Sequence, residues 1–231
     1  MRRVHALAAC ATALPAALLA GCSGRANDLS TYYDDPAAVS SAPPSTSTAA
    51  PATSTTPPGP APAELVAEAA LTQADLVEEG VTPVGAPASS LAIALPDCAI
   101  NLGAGADAGL TAQWRYARGS VLRQYVVHTP EQSGVTAAVE AARDALDCRS
   151  FTVSGTRFLI DDGFTLDEVD GADRQLSWCA GANTRVSCTV VLASGDLLTA
   201  VSVESTTTKA ARDAITRVAP VAATALGRAR A

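Results

Sequence analysis

The chain has 231 residues and a formal net charge of −7, with 23 acidic side chains against 16 basic ones. That balance argues against nucleic acid or an anionic bilayer surface as partner, because both call for a basic face. Two histidines and six cysteines are present, which narrows the available chemistry before any motif is considered.

The chain starts with Arg2 and Arg3, followed by an almost unbroken apolar run from Val4 to Ala20. This is the arrangement of a secretory signal, and the run is short for a membrane span, which needs about 20 apolar residues. It ends in Leu19-Ala20-Gly21-Cys22, small residues followed by a cysteine that can carry a thioether-linked diacylglycerol. These residues resemble the bacterial lipobox. Residues 1–21 are therefore expected to be a signal peptide and Cys22 to be lipidated. The mature protein is expected to be anchored at the cell membrane on its outer, extracytoplasmic face. Two acyl chains on one residue suffice for stable anchoring. Without the signal, 14 basic residues face 23 acidic ones, a net charge near −9.

Residues 22–62 continue as a Ser/Thr/Pro/Ala-rich stretch without hydrophobic periodicity. Such a composition cannot bury enough apolar surface to offset the entropy of ordering, so a disordered stalk is expected. As a flexible coil it would average about 35 Å end to end. Its Ser40–Pro60 portion has the composition of an O-glycosylation substrate.

Residues 63–231 suit a single globular domain. Glu64 to Glu79 is alanine-rich with Leu65, Ala69, Thr72 and Leu76 at helical spacing, and Gly80 closes it. Gly103, Gly105 and Gly109 depart from the phosphate-binding Gly-x-Gly-x-x-Gly spacing and predict a flexible loop. Ala112–Ala117 and Ser120–His128 predict a hairpin around Arg118-Gly119. Thr129-Pro130-Glu131-Gln132 supplies N-cap signals for a helix running to about Leu146. Strand candidates follow at Ser150–Ile160, Arg174–Cys179, Ser187–Ala193 and Leu197–Glu204, the last two joined through Gly195-Asp196. The last strand alternates, with Leu197, Thr199, Val201 and Val203 on one face. An alanine-rich helix from about Thr207, kinked at Pro220, closes the domain. Helices and antiparallel strands without a strand-helix-strand rhythm indicate an α+β fold, an antiparallel sheet with helices packed on one face.

Cys10 leaves with the signal and Cys22 is consumed by lipid, so Cys98, Cys148, Cys179 and Cys188 remain. An even number in an exported domain argues for disulfides. Of three pairings, Cys179 with Cys188 is favoured because they fall on neighbouring strand candidates, which leaves Cys98 with Cys148. No zinc-type cysteine spacing is present, and no metal or cofactor is expected.

Catalytic signatures are sparse. His128, the one histidine of the mature chain, reads as a half-exposed residue before a helix cap. No Gly-x-Ser-x-Gly elbow occurs. The Ser/Thr cluster preceding Lys209 reads as a helix N-cap rather than a Ser-x-x-Lys nucleophile. Asp161, Asp162, Asp167, Glu168, Asp170 and Asp173 crowd 13 residues, but without the alternation of a calcium loop, and read as a solvated turn region.

The order of these features is itself recognisable. A lipobox and Ser/Thr/Pro stalk precede a first helix bearing Leu71-Thr72-Gln73-Ala74-Asp75-Leu76. Then come a cysteine at 98, a helix ending at Cys148, Trp178-Cys179, and a closing strand with an alanine-rich helix. This resembles the actinobacterial sensor-domain lipoproteins, similar to the extracellular sensor domain of mycobacterial serine/threonine protein kinases. The resemblance implies a sensor-like α+β fold with two disulfides and a groove for a ligand, and it brings no catalytic residues.

The function expected is that of a non-enzymatic, membrane-anchored binding module for an unknown lipid, glycan or peptide. Trp114, Tyr116, Tyr125 and Trp178 are the candidate ligand-binding residues, since aromatic side chains are scarce here and stack on apolar or sugar surfaces. The same four residues suit core packing. The alternatives are a cell-envelope hydrolase using a carboxylate pair from the acidic region, or an envelope structural or interaction protein.

Overall fold

The computed structural model describes residues 59–161 and 163–230. The expected signal peptide, Cys22 and nearly all of the expected stalk lie outside the described residues.

The alanine-rich segment that opens the domain is helical only at its start. Helix α1 covers Pro62–Glu68, and a single 3-10 turn follows at Val77–Glu79. Between them Thr72 and Asp75 cap each other. The Thr72 N–H and hydroxyl donate to Asp75 Oδ2 at 2.8 and 2.9 Å, and the Asp75 N–H donates back to Thr72 Oγ1 at 3.2 Å. The backbone released by the break is taken up by Gln124, a fully buried side chain of the sheet. Gln124 Oε1 accepts the Leu71 N–H at 2.7 Å, and its Nε2 donates to the Ala69 carbonyl at 3.2 Å. The expected single helix from Glu64 to Glu79 is thus replaced by a helix, a turn and a short coil, because a long-range partner outcompetes helical propensity.

Nine strands follow: β1 Val81–Pro83, β2 Ala88–Ser89, β3 Ala108–Tyr116, β4 Val121–His128, β5 Ser150–Val153, β6 Thr156–Asp161, β7 Arg174–Gly181, β8 Val186–Ser194 and β9 Leu197–Ser205. They form one antiparallel sheet in the order β1-β3-β4-β9-β8-β7-β6-β5, with β2 also on β3. The Arg118-Gly119 hairpin is found as expected, with Trp114 opposite Leu122. The expected strand Ser150–Ile160 is instead a hairpin. Ser154 and Gly155 both have positive φ, 49° and 78°, the backbone of a two-residue turn that returns the chain on itself.

The glycine-rich segment is not a flexible loop. Gly109 lies in β3, where an added Cβ would sit 2.2 Å from the Ser90 carbonyl oxygen, and Gly103 stands equally close to the Leu91 carbonyl. Glycine is needed there so that the chain around β2 can lie against its neighbours.

Helix α2 spans Gln132–Ala145 with Glu131 at its N-cap, two residues beyond the expected cap at Thr129, whose hydroxyl donates to the Glu131 carbonyl instead. Helix α3, Thr208–Arg228, runs through Pro220 and is capped by Thr207, whose side chain accepts the Ala210 N–H. Lys209 pairs with Asp213 on its exposed surface.

Helices α1 and α3 pack on one face of the sheet, as expected. Ile215, Val218 and Leu226 of α3 join Val190, Leu192, Val201 and Val203 in one core. Helix α2 lies on the opposite face, which corrects the one-sided arrangement. Its Val135, Val139 and Ala142 cover Val191, Leu198 and Ala200. The reason is the composition of the central strands. Every residue of β8 is buried, and so are all but one of β9. Strands that are apolar toward both sides need cover on both.

Two disulfides brace the domain in the favoured pairing. Cys179 and Cys188 are directly opposite on β7 and β8, with Cα atoms 4.0 Å apart. Cys98 and Cys148, at a Cα separation of 6.0 Å, tie the loop before β3 to the turn after α2.

Candidate ligand-binding site

Helix α2 covers only half of its face, and what it leaves open changes character along three adjacent strands. On β4 the residues pointing to that face run Val127, Tyr125, Arg123; on β8, Val191, Thr189, Ser187; on β9, Ala200, Ser202, Glu204. The register aligns them, Arg123 opposite Ser202 and Thr189 opposite Ser202 on the other side. The apolar member of each series lies in the core that includes α2. The polar members floor a cavity of about 320 Å³.

Two walls rise from this floor. One is the loop Leu95-Pro96-Asp97, and the other is the β5–β6 hairpin, which presents Phe151 and Phe158. The two rings are cross-strand partners and stack with centroids 5.3 Å apart. The Cys98–Cys148 disulfide connects the bases of the walls, since Cys98 follows Asp97 and Cys148 precedes β5 by two residues.

The polar groups of the site form two sets. At one end Arg185 binds Glu204 Oε1 through Nε at 2.9 Å and Nη2 at 2.6 Å, and also lies over the Phe158 ring at 5.6 Å. Arg123 approaches the other Glu204 oxygen at 3.7 Å, so two guanidinium groups share one carboxylate. At the other end Asp97 is buried, 4% exposed. Its Oδ2 accepts the Trp178 indole N–H at 2.8 Å, and the Thr189 hydroxyl bonds to it as well. Burial pushes the Asp97 carboxyl above the usual range, against the pull of the Trp178 and Thr189 bonds. Between the ends lies a hydroxyl cluster, with Ser202 Oγ 3.0 Å from Ser187 Oγ and 3.2 Å from Thr189 Oγ1.

The four aromatic candidates do not converge. Tyr125 lines the cavity, and Trp178 lies behind Asp97 as its hydrogen-bond donor. Trp114 and Tyr116 belong to the core on the opposite face: both are at even positions of β3, where Trp114 stands opposite Leu122 of β4 and Tyr116 opposite Val81 of β1. Trp114 borders an apolar cavity of about 430 Å³ beside Leu71, Pro83 and Leu110. Tyr116 donates its hydroxyl to Glu79 at 2.9 Å, and burial together with that carboxylate pushes the phenol up. Glu79 also receives both Arg217 nitrogens at 2.7 and 3.0 Å. The charges around Tyr116 are thus spent on one another.

Two other sequence expectations change. His128 is buried rather than half-exposed, at 6%, with Nδ1 2.5 Å from Asp107 Oδ1 and Nε2 3.3 Å from Asp196 Oδ2. It locks the start of β3 to the β8–β9 turn. The acidic region is not a shared site among the described residues. Asp161 pairs with Arg212 at 2.6 Å, and Asp173 accepts the Gly195 N–H at 2.8 Å. Asp162 lies outside the described residues. Sequence reasoning missed Asp97, Arg123, Glu204 and the three hydroxyls. The available signal was the loss of apolar character at alternate positions toward one end of β4, β8 and β9.

No family model matches the chain, and no curated protein matches it in sequence. Among solved structures it is similar to the extracellular domain of PknH from Mycobacterium tuberculosis, at 17% identity and a TM-score of 0.53, over 74% of this chain and 98% of that one. The fold implied by the sequence resemblance is therefore the fold found.

Proposed function

We propose that the protein is a non-enzymatic, sensor-like binding module, held at the outer face of the cell membrane by lipid on Cys22, whose ligand occupies the groove floored by β4, β9 and β8. The observation that carries this reading is the polar floor itself. On the α2 side of the sheet, β4, β8 and β9 turn from apolar to hydroxyl and charged side chains where they line the cavity, although Ser187, Thr189 and Ser202 are buried there, and a purely structural sheet face has no use for that change. Two disulfides suit an oxidising compartment outside the cytoplasm, and the fold is shared with a domain that is extracellular. No described helix is long and apolar enough to cross a membrane.

The test is native mass spectrometry of the protein purified from its own cells, beside variants Ser202→Trp, which fills the cavity, and Tyr125→Ala, which opens it. A co-purifying small molecule that is lost in Ser202→Trp and weakened in Tyr125→Ala supports the reading. A bound molecule that survives both changes places the site elsewhere, and an empty protein counts against a stable ligand. For the anchor, Cys22→Ser is expected to move the protein from the membrane to the soluble fraction.

One observation favours a second reading. Asp97 and Glu204 border the same cavity, and a buried carboxyl pushed above its usual range beside a second, ion-paired one has the look of a glycosidase acid and base. Glu204, however, is engaged on both oxygens by Arg185 and Arg123, and Asp97 is engaged by Trp178 and Thr189. Neither is free to serve a substrate. Polysaccharide hydrolysis that vanishes in both Asp97→Asn and Glu204→Gln would reverse the assignment.

A further inference from the structure

We infer that the groove takes an acidic saccharide, with its oxyanion on Arg123, its hydroxyls on the Ser187, Thr189 and Ser202 cluster, and a ring face against Phe151 and Tyr125. The inference rests on the groove being the binding site and names what it binds.

Charge is the first argument. Arg185 satisfies its guanidinium through two nitrogens on one Glu204 oxygen, while Arg123 stands 3.7 Å from the other oxygen. Two guanidinium groups thus share one carboxylate at that end of the groove, with Arg123 the more loosely held of the two, while over the whole cavity two carboxyls stand against two cations. Asp97, the other carboxyl on the cavity, is buried and turned to Trp178 and Thr189. An oxyanion beside Arg123 would replace its loose 3.7 Å contact with a bidentate one, and guanidinium groups bind carboxylate and phosphate alike.

Hydroxyls are the second argument. Ser187, Thr189 and Ser202 can each donate and accept, so they match a ligand that offers both at close spacing, as a sugar does. An acyl chain over this floor would strand buried polar groups. A peptide bound by strand addition would need an open sheet edge, whereas this floor is the side-chain surface of three interior strands. Size is the third argument. About 320 Å³ is at the small end of ligand cavities and fits one or two rings. Phe151, half-buried at the wall, and Tyr125 supply the flat apolar surface on which a sugar ring stacks.

The experiment is an amide NMR titration of the isotopically labelled full chain with glucuronate, glucose 6-phosphate, glucose and acetate. Glucuronate, glucose 6-phosphate or both should shift Tyr125, Ser187 and Ser202 with an affinity about tenfold above that of glucose, the ordinary value of one charge-assisted contact. Which of the two binds more tightly identifies the oxyanion. Arg123→Gln should erase the advantage over glucose, and Arg123→Lys should retain part of it. Arg123 is part-exposed, so an unchanged amide spectrum elsewhere certifies the fold of each variant. Equal binding of glucose and the acidic sugars, or an Arg123→Gln protein that keeps the preference, overturns the role of the anion. Acetate binding as tightly as glucuronate overturns the role of the sugar. If no probe shifts the groove, the saccharide assignment fails, and the groove as a binding site is then decided by the co-purified molecule alone.

Discussion

Replacing Gln124 by leucine tests whether one buried side chain holds the broken first helix to the sheet. Leucine is close to glutamine in volume, so the change removes hydrogen bonds without opening a large cavity. The lost partners are the Leu71 N–H at 2.7 Å, the Ala69 carbonyl at 3.2 Å and Thr199 Oγ1 at 3.1 Å. Thr199 keeps its bond to the Tyr125 carbonyl, so its share of the loss is small. The two backbone groups are left in the core, each at about 1–3 kcal/mol. Greater apolar burial by leucine offsets about 1 kcal/mol of this. The expected net loss is about 2–4 kcal/mol, or about 6–12 °C in Tm for a domain of this size. Urea unfolding with the disulfides intact measures it, with an unchanged m-value showing that the same surface unfolds. Hydrogen exchange at Leu71 should accelerate in parallel. A Gln124→Leu protein within about 0.5 kcal/mol of the parent would refute the reasoning and return the helix break to local sequence. Thr199→Val is the control, expected to cost less than about 1 kcal/mol.

Three further outcomes are expected. Replacing Cys98 and Cys148 together by alanine should cost about 4 kcal/mol and replacing Cys179 and Cys188 about 2.5, from loop closures of 50 and 9 residues; the reverse order in urea unfolding would contradict the chain-entropy account. Gly109→Ala should destabilise by at least about 2 kcal/mol, because its Cβ meets the Ser90 carbonyl at 2.2 Å and Ile93 Cδ1 at 2.8 Å. Gly181→Ala, with nothing within 4 Å, should be nearly neutral by the same thermal melts. Glu79 and Asp97 should give opposite pH slopes. Burial works against Glu79, but Arg217 and the Tyr116 hydroxyl outweigh it and hold that carboxyl below the usual range. Its contribution is present above the unfolded value of about 4.3 and lost as pH falls through the lower folded value. Asp97 is raised by burial, so its contribution is present below the unfolded value of about 3.9 and lost as pH climbs through the higher folded one. Glu79→Gln should flatten the acid limb of stability against pH, and Asp97→Asn should raise stability near neutrality; an unchanged profile in either variant refutes the corresponding assignment.

What the sequence determined by itself is whatever depends on neighbours along the chain. The hairpin at Arg118-Gly119, the β8–β9 turn at Gly195-Asp196, the helices entering after Pro130 and Thr207, and the cross-strand pairing of Cys179 with Cys188 all follow from turn chemistry, capping and period-2 patterning. So does the α+β class. The apolar alternation of β9 was legible, yet its other face, Leu198 and Ala200, is just as apolar, and that face called α2 to the opposite side of the sheet.

The tertiary structure decided what depends on a partner distant in sequence. The first helix stops at Glu68 because Gln124, more than 50 residues away, offers its backbone a better partner than the next helical turn. Gly109 reads as slack in the sequence and is a contact point in space. The four aromatic candidates were chosen by type, but a strand sends successive side chains to opposite faces, and the relative facing of β3 and β4 is set by their register. That register put Trp114 into one core and Tyr125 onto the groove of the other. The groove itself is assembled from Asp97, Arg123, Ser187 and Ser202, four residues on four different segments. Only antiparallel pairing of β4, β9 and β8, with Asp97 held over them by Trp178, brings their short-range hydrogen-bonding and charge chemistry within reach of one ligand.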